Sequence, residues 1–364
     1  MGVANDASSS GLVAWDVALR IGREASRFAS PLDGRTRRQL EEDFDEATFR
    51  AEALVEAATG LHSTAGRARG LVVDRSGWVE ANIGSLRRLL ASADRALAES
   101  AREGRGTLSP AARSAAGVEF GVLLTWMSRR VLGQYDLMPL AGDDSGGFVY
   151  YVGPNVVALE RQHGFAPREF RLWIALHEVT HRLQFTGVPW MHEYFLDLVE
   201  RGTSIGVPDA KAVLESLRRA ATEFWDGRNP LAEGGVVGLV ASPAQLATLR
   251  QAQALMSLLE GHGEFVMSRA GGGEVPGAPR FAAVLAARRA KARGVVRLVQ
   301  QALGLEAKLR QYSAGRRFVE AVESGGDGLL SRVWESPEKL PTLEEIGAPE
   351  GWIARVGGVT APST

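Results

Sequence analysis

The pentapeptide His177-Glu178-Val179-Thr180-His181 constrains this chain more than any other feature of its sequence. Histidines four residues apart share one face only if the segment is an α-helix, and both imidazoles can then bind one metal ion. The glutamate between them is placed to act on a water bound to that metal. The motif therefore predicts a helix, a zinc ion and a hydrolytic reaction.

The segment from Pro167 to Phe185 is predicted to form that helix. Pro167 suits the first helical turn, while Gly187 and Pro189 favour an end shortly after Phe185. On an ideal helix, one stripe carries the following residues: Phe170, Ile174, His177, His181 and Phe185. Because the other members of the stripe are apolar, we expect both histidines to face a buried site.

Composition places the chain among ordinary globular proteins. Of its 364 residues, 45% are hydrophobic and 23% are charged, and 42 basic residues nearly balance 43 acidic ones. This balance gives no reason to expect a nucleic-acid partner or an anionic membrane. Cysteine is absent, which excludes disulfides, cysteine-ligated zinc and thiol catalysis. No apolar run approaches about 18 residues and no signal-peptide pattern is present, so we expect a cytoplasmic protein.

Helical periodicity dominates and predicts a mainly α (α+β) fold. Apolar residues recur at helical spacing over 34–59, 78–103, 111–132, 207–225, 243–269, 280–302 and 305–323. Strand-like composition is confined to 148–159 and 70–74, so the sheet should be small. Pro154 cannot donate to a strand ladder and predicts an edge strand or a bulge. Such an edge can bind an extended peptide or can be covered by a helix.

Glycine-rich breaks suggest a division of the chain into three regions. We predict an N-terminal helical region at 1–108 and a core at 109–270 that contains the helices of the site. A C-terminal helical region at 271–364 is expected to pack on that core.

A zinc site of this kind needs a third protein ligand. A metzincin has a histidine six residues after the second histidine of the motif, with a glycine between them. Here Gly187 stands at the histidine position and Gln184 at the glycine position, which excludes that class. Glu200 is one candidate, although it can equally be a solvated carboxylate beside Arg201 at the end of a helix.

The helix expected after residue 243 offers the other candidates. Glu260 and Glu264 lie one turn apart in an apolar surround, so one can bind the metal while the other holds a ligand histidine through its second ring nitrogen. His262 points away from that pair. Gly261 and Gly263 weaken a helix and suggest that another backbone packs closely there. We favour Glu260 as the third ligand, with Glu200 and His262 as alternatives.

At these positions the sequence resembles a family of zincin-like, provisionally assigned hydrolases from bacteria that use a deazaflavin coenzyme. Members are described as associated with the biosynthesis of that coenzyme or as zinc-dependent metalloproteases. The resemblance rests on 170–185, 188–190, 255–262, 73–78 with Asn82, and 308–315. It implies one zincin-like core with a small mixed sheet and extensive helical additions.

The resemblance also implies a gluzincin-type site in which His177, His181 and Glu260 bind zinc and Glu178 is the base. Such families usually have an aspartate four residues after the ligand glutamate. Here that position is Glu264, whose side chain is one methylene longer than that of aspartate.

These features predict a zinc metallopeptidase or amide hydrolase that acts on a peptide or small amide. A zinc-bound water would attack the carbonyl, and Glu178 would serve as the general base. Tyr312 is our candidate for a donor to the oxyanion. The alternative is a metal-binding zincin-fold scaffold or binding protein without peptidase activity, linked to deazaflavin coenzyme metabolism. Glu178 favours the enzyme because a scaffold needs no base there.

Overall fold

The structure is a computed structural model that describes residues 11–26, 32–103, 108–138, 147–203, 243–291 and 306–358. The chain divides into two compact units, one of Met1–His192 with Gly273–Gly277 and one of Glu193–Gly272 with Ala278–Thr364. The helix predicted at 207–225 lies outside the described residues. The division into regions 1–108, 109–270 and 271–364 stays a prediction.

Helices make up most of the described chain. In order, they are α1 Trp15–Ser26, α2 Gly34–Thr59, α3 Arg75–Leu89, α4 Ala91–Arg102, α5 Pro110–Ser128, α6 Gly153–His163, α7 Pro167–Thr186, α8 Met191–Thr203, α9 Pro243–Ala270, α10 Ala278–Lys291, α11 Glu306–Ser324, α12 Leu343–Gly347 and α13 Pro349–Gly357. Short 3-10 helices span Leu330–Trp334 and Pro337–Lys339. The strands are β1 Arg69–Val73, β2 Gly133–Tyr135 and β3 Phe148–Val152. The predicted mainly α fold with a small mixed sheet is confirmed.

The three-stranded sheet has the order β1-β3-β2. Strand β1 runs parallel to β3, with Leu71 opposite Tyr150. Strand β2 runs antiparallel to β3, with Gly133 opposite Tyr151. A parallel pair needs a long connection between its strands, and the chain from 74 to 147 supplies it with α3, α4, α5 and β2.

The prediction that 148–159 forms an edge strand is wrong. Strand β3 ends at Val152 and is paired on both sides, so it has no open edge for a peptide. Pro154 instead lies in the first turn of α6, where the missing N–H has no helical partner to lose. The β-branched run continues into that helix because its side chains pack inward: Val156 and Val157 are buried.

Trp78 anchors the core of the first unit on one side of the sheet. It is buried and packs in a cluster with Val79, Ile83, Leu124 and Val152.

The region 78–103, which was predicted as a single helix, forms two helices. Helix α3 ends before Leu90 and α4 begins after it.

In the second unit, α9 and α11 cross at two glycines. A Cβ atom on Gly261 would overlap the backbone of Gly315 and Arg316, and one on Gly315 would overlap the carbonyl group of Ser257. The close backbone predicted beside Gly261 is therefore that of α11. The absence of side chains at both positions lets the helix that carries Glu260 pack directly on its neighbour.

Candidate metal centre

Helix α7 carries the H-E-x-x-H motif and has the predicted bounds to within one residue. Pro167 lies in its first turn, and the Gly187 amide donates to the carbonyl of Leu183 at 2.8 Å after the last turn. A Cβ atom on Gly187 would lie 2.9 Å from the carbonyl oxygen of His62. Gly187 therefore lets the chain near residue 62 pack against the end of the motif helix.

The two histidines converge through their Nε2 atoms. These atoms are 3.2 Å apart, and the ring planes are at 79° to each other. Two nitrogen ligands, each 2.0–2.1 Å from a tetrahedral zinc ion, lie about 3.4 Å apart. Both histidines are half-buried rather than buried, so a small ligand can reach them. The spacing of His177 and His181 fits a shared zinc ion.

Gln184 fixes the orientation of one of these rings. Its side chain is buried, and its Oε1 atom lies 2.9 Å from Nδ1 of His181. An amide oxygen only accepts hydrogen bonds, so Nδ1 carries the proton and Nε2 keeps its lone pair for a metal. Sequence reasoning used Gln184 only to exclude the metzincin class. Its position three residues after His181 on one helix was the signal for this contact.

Glu178 lies buried against the sheet, with 7% of its surface exposed. Its carboxyl group packs against the backbone of Gly133 on β2. The side chain of Tyr151 on β3 is close enough to Glu178 for the two groups to interact electrostatically. Burial raises the pKa of Tyr151, its hydrogen bond with Thr48 lowers the pKa, and the charge of Glu178 raises it further. Glu178 is thus largely shielded from solvent, on the helix that carries the two histidines.

Two buried arginines hold α7 in place on either side of the motif. Arg171 forms a bidentate pair with Glu160 on α6, with both N–O distances 2.8 Å, and also pairs with Asp43 on α2. Arg182 is fully buried and donates to Glu52 on α2 at 2.6 Å. Burial alone would lower the pKa of Arg171, but its two carboxylate partners outweigh this and raise it. These charge pairs were not predicted from the sequence.

Among the described residues, one group of side chains could supply the donors of a metal site. It consists of His177 and His181 on α7 and Glu260 on α9. Two imidazoles and one carboxylate form a donor set that catalytic zinc sites use, with a fourth position left for water or substrate. The residues present therefore fit the predicted metal.

The family of the chain follows from a comparison with known protein families. A family model described as zincin-like metallopeptidase matches residues 13–353. The chain belongs to that family. A similar solved structure is that of a provisionally assigned hydrolase with a novel fold from Chloroflexus aurantiacus. It is 31% identical with a TM-score of 0.70, and the match covers 96% of this chain and 100% of that chain. No curated protein matches the sequence.

The other candidates for the third ligand lie outside the group described above. Glu200 is exposed on α8. His262 is buried in the second unit, with its ring edge against Trp334 at a centroid distance of 5.0 Å. Neither belongs to a metal-type cluster within the described ranges.

Two further candidate residues lie on α9 and α11. Glu264 lies one turn after Glu260 on α9, and its contact with a ligand histidine stays a prediction. Tyr312 lies on α11, but its side chain is outside the described residues. None of the described helices is both long and apolar enough to span a bilayer.

Proposed function

We propose that this protein is a zinc-dependent hydrolase that cleaves an amide bond in a peptide or small amide. The observation that carries the proposal is the convergence of His177 and His181 through Nε2 atoms 3.2 Å apart, beside buried Glu178. Membership in the zincin-like metallopeptidase family and similarity to a provisionally assigned hydrolase support it.

Three residues would hold the metal in this proposal. His177 and His181 supply Nε2, and Glu260 supplies a carboxylate oxygen. When bound, zinc lowers the pKa of a water toward about 7 and polarises a carbonyl. Gln184 keeps His181 in the tautomer that can bind, because its amide oxygen accepts a hydrogen bond from Nδ1–H and leaves the lone pair on Nε2.

Glu178 performs the proton transfers. Its carboxylate takes one proton from the attacking water while the water oxygen forms a bond to the carbonyl carbon. It then returns that proton to the amide nitrogen as the C–N bond breaks, which leaves a carboxylic acid and an amine. Because Glu178 is only 7% exposed, bulk water competes little for these transfers. We keep Tyr312 as the proposed donor to the oxyanion and Glu264 as the proposed partner of a ligand histidine.

The proposal is tested by peptide hydrolysis with zinc-loaded proteins. The probe is a mixture of quenched-fluorescent peptides, and the variants are Glu178→Gln and Glu200→Gln. We expect Glu178→Gln to bind zinc like the wild type but to lose about 100-fold or more in rate, because general-base catalysis contributes about 10²–10⁴. Glu200→Gln makes the same change of charge at an exposed site and should keep the wild-type rate.

Two outcomes would contradict the proposed enzymatic function. Equal rates for the wild type and Glu178→Gln would show that Glu178 is not the base. Zinc binding without hydrolysis of any peptide would favour the scaffold, for which a link to deazaflavin coenzyme metabolism is the remaining proposal.

A further inference from the structure

Gly133 and Glu178 are in direct contact within the first unit. A Cβ atom built on Gly133 would lie 2.6 Å from Cγ, 2.9 Å from Cδ and 2.9 Å from Oε1 of Glu178. Cβ atoms in proteins essentially never approach another heavy atom within 3.0 Å. The space that a side chain at position 133 would fill is therefore occupied by the side chain of Glu178.

The backbone conformation gives no other reason for glycine at this position. The described glycines with positive φ are Gly60, Gly147, Gly164, Gly326, Gly328 and Gly358. Gly133 is not one of them, so an alanine could adopt its φ and ψ. A glycine inside a strand destabilises a protein relative to alanine, because it loses more backbone freedom on folding. The contact with Glu178 is thus the feature of the structure that requires glycine.

Neither backbone can move easily to make room for a larger residue. Strand β2 is held to the central strand on both sides of Gly133 by two hydrogen bonds of 2.9 Å, from Val152 N–H to Leu132 and from Asp136 N–H to Phe148. Helix α7 is held by the ion pairs of Arg171 and Arg182 described above. The part that can yield is the side chain of Glu178.

We propose that Gly133 is a positioning residue for Glu178. The absence of a side chain at position 133 leaves the space in which the carboxylate of Glu178 lies, and a larger residue would turn the carboxylate to another rotamer. This inference rests on the proposed function, since it assigns Gly133 a role in placing the base. It predicts that a methyl group at position 133 impairs proton transfer without removing a metal ligand.

The first test needs no metal. Thermal unfolding of the metal-free protein is measured for the wild type, Gly133→Ala, Glu178→Ala and the double variant. We expect Gly133→Ala to lower Tm by several degrees when Glu178 is present, and to lower it much less in the Glu178→Ala background. The reason is that Glu178→Ala removes all three atoms that the new Cβ would meet. Equal losses of Tm in both backgrounds would show that Glu178 is not what excludes a side chain at position 133, and would overturn the proposal.

Gly84→Ala is the matched control in the same unit. A Cβ atom on Gly84 in α3 would meet only Nη1 of Arg88, at an ordinary 3.5 Å. This variant should not lower Tm and should show no coupling to Glu178.

The second test measures zinc affinity and hydrolysis of the quenched-fluorescent peptide mixture. We expect Gly133→Ala to keep wild-type zinc affinity and KM while kcat falls at least 10-fold, and Gly84→Ala to keep both constants. If Gly133→Ala does not fold, the comparison is made with the double variant Gly133→Ala/Glu178→Ala, which lacks Cγ, Cδ and Oε1 of Glu178. Recovery of the folded state in the double variant would support the contact, and failure of the double variant to fold would overturn it.

The outcomes separate the two proposals. An active wild type whose kcat is unchanged in Gly133→Ala would overturn the positioning role and leave the hydrolase intact. A zinc-loaded wild type that hydrolyses no peptide would overturn the hydrolase, and with it the assignment of Gly133.

Discussion

The Nδ1 atom of His181 lies 2.9 Å from the Oε1 atom of Gln184, and Nε2 of the same ring lies 3.2 Å from Nε2 of His177. One hydrogen bond from the ring to a buried amide oxygen thereby determines which nitrogen of His181 faces the neighbouring histidine. The placement of the two rings relative to each other thus involves residues within about two turns of α7, whose side chains the helix backbone brings together.

Removal of this hydrogen bond should weaken zinc binding. We expect Gln184→Leu to raise the zinc Kd by about 10–100-fold, because the ring of His181 loses the partner that fixes its tautomer and orientation. Gln184→Glu keeps an acceptor at the same place and should retain much more of the affinity. Competition with a chromophoric chelator measures both constants, and circular dichroism checks the fold. A wild-type Kd in Gln184→Leu would contradict the role of this contact.

The identity of the third ligand can be tested with two glutamates. We expect Glu260→Gln to lose about 100-fold or more in zinc affinity, because a neutral amide oxygen replaces an anionic ligand at the ion. Glu200→Gln should leave the affinity unchanged, since Glu200 is exposed on α8. Zinc content after dialysis and titration of the metal-free proteins supply the measurement. The reverse pattern would assign the third ligand to Glu200.

The buried ion pairs that hold α7 should contribute strongly to stability. Arg171→Leu leaves Glu160 and Asp43 buried without their partner, and we expect the free energy of unfolding to fall by about 3–5 kcal/mol. Arg37→Ala removes an exposed pair with Glu41 and should change it by less than about 0.5 kcal/mol. Urea unfolding at pH 7 compares the two. Similar losses in both variants would refute a structural role for the Arg171 cluster.

The buried hydroxyl of Tyr151 should make the protein sensitive to alkaline pH. Burial raises the pKa of this phenol in the folded state above the ordinary value of 10.0. Above about pH 10 the phenol therefore loses its proton in the unfolded chain while it keeps the proton in the folded protein. The free energy of unfolding then falls with rising pH, by up to about 1.4 kcal/mol per pH unit for this group. Tyr135, whose pKa burial raises to about 12, acts in the same direction between pH 10 and 12.

Tyr151→Phe removes one of these titrations and keeps the stacking on Phe44. Urea unfolding at several pH values from 9 to about 11.5 should give a shallower decline for this variant than for the wild type. Parallel curves would mean that Tyr151 does not titrate differently in the two states.

Gly261 and Gly315, where α9 and α11 cross in the second unit, should tolerate no side chain. We expect Gly315→Ala to destabilise the protein by several kcal/mol, on the order of other severe overpacking changes, because its Cβ would overlap the carbonyl oxygen of Ser257. Gly347→Ala places a methyl group where no atom lies within 4 Å and should have little effect. Thermal unfolding of both variants decides this, and an equally small shift in both would show that the two helices can separate at low cost.

Local patterns predicted the elements of the site better than their arrangement. Helix α7 was predictable because Pro167, the apolar periodicity and Gly187 all act within a few residues. The region 148–159 was predicted wrongly because β-branched residues favour strands, while the start of α6 depends on Pro154 and on packing of the valines after it. A single-sequence pattern does not contain that packing.

The sequence by itself determined the motif helix, the pair of histidines on one face, the base between them and the mainly α composition, because each of these depends on neighbours within one or two helical turns. Only the tertiary structure decided that Gly133 lies against Glu178, that Arg171 and Arg182 bury their charges on α2 and α6, and that Gly261 meets Gly315. Those contacts join residues far apart in the chain. Their free energy comes from packing and from desolvated charge pairs, which exist only once the chain has folded.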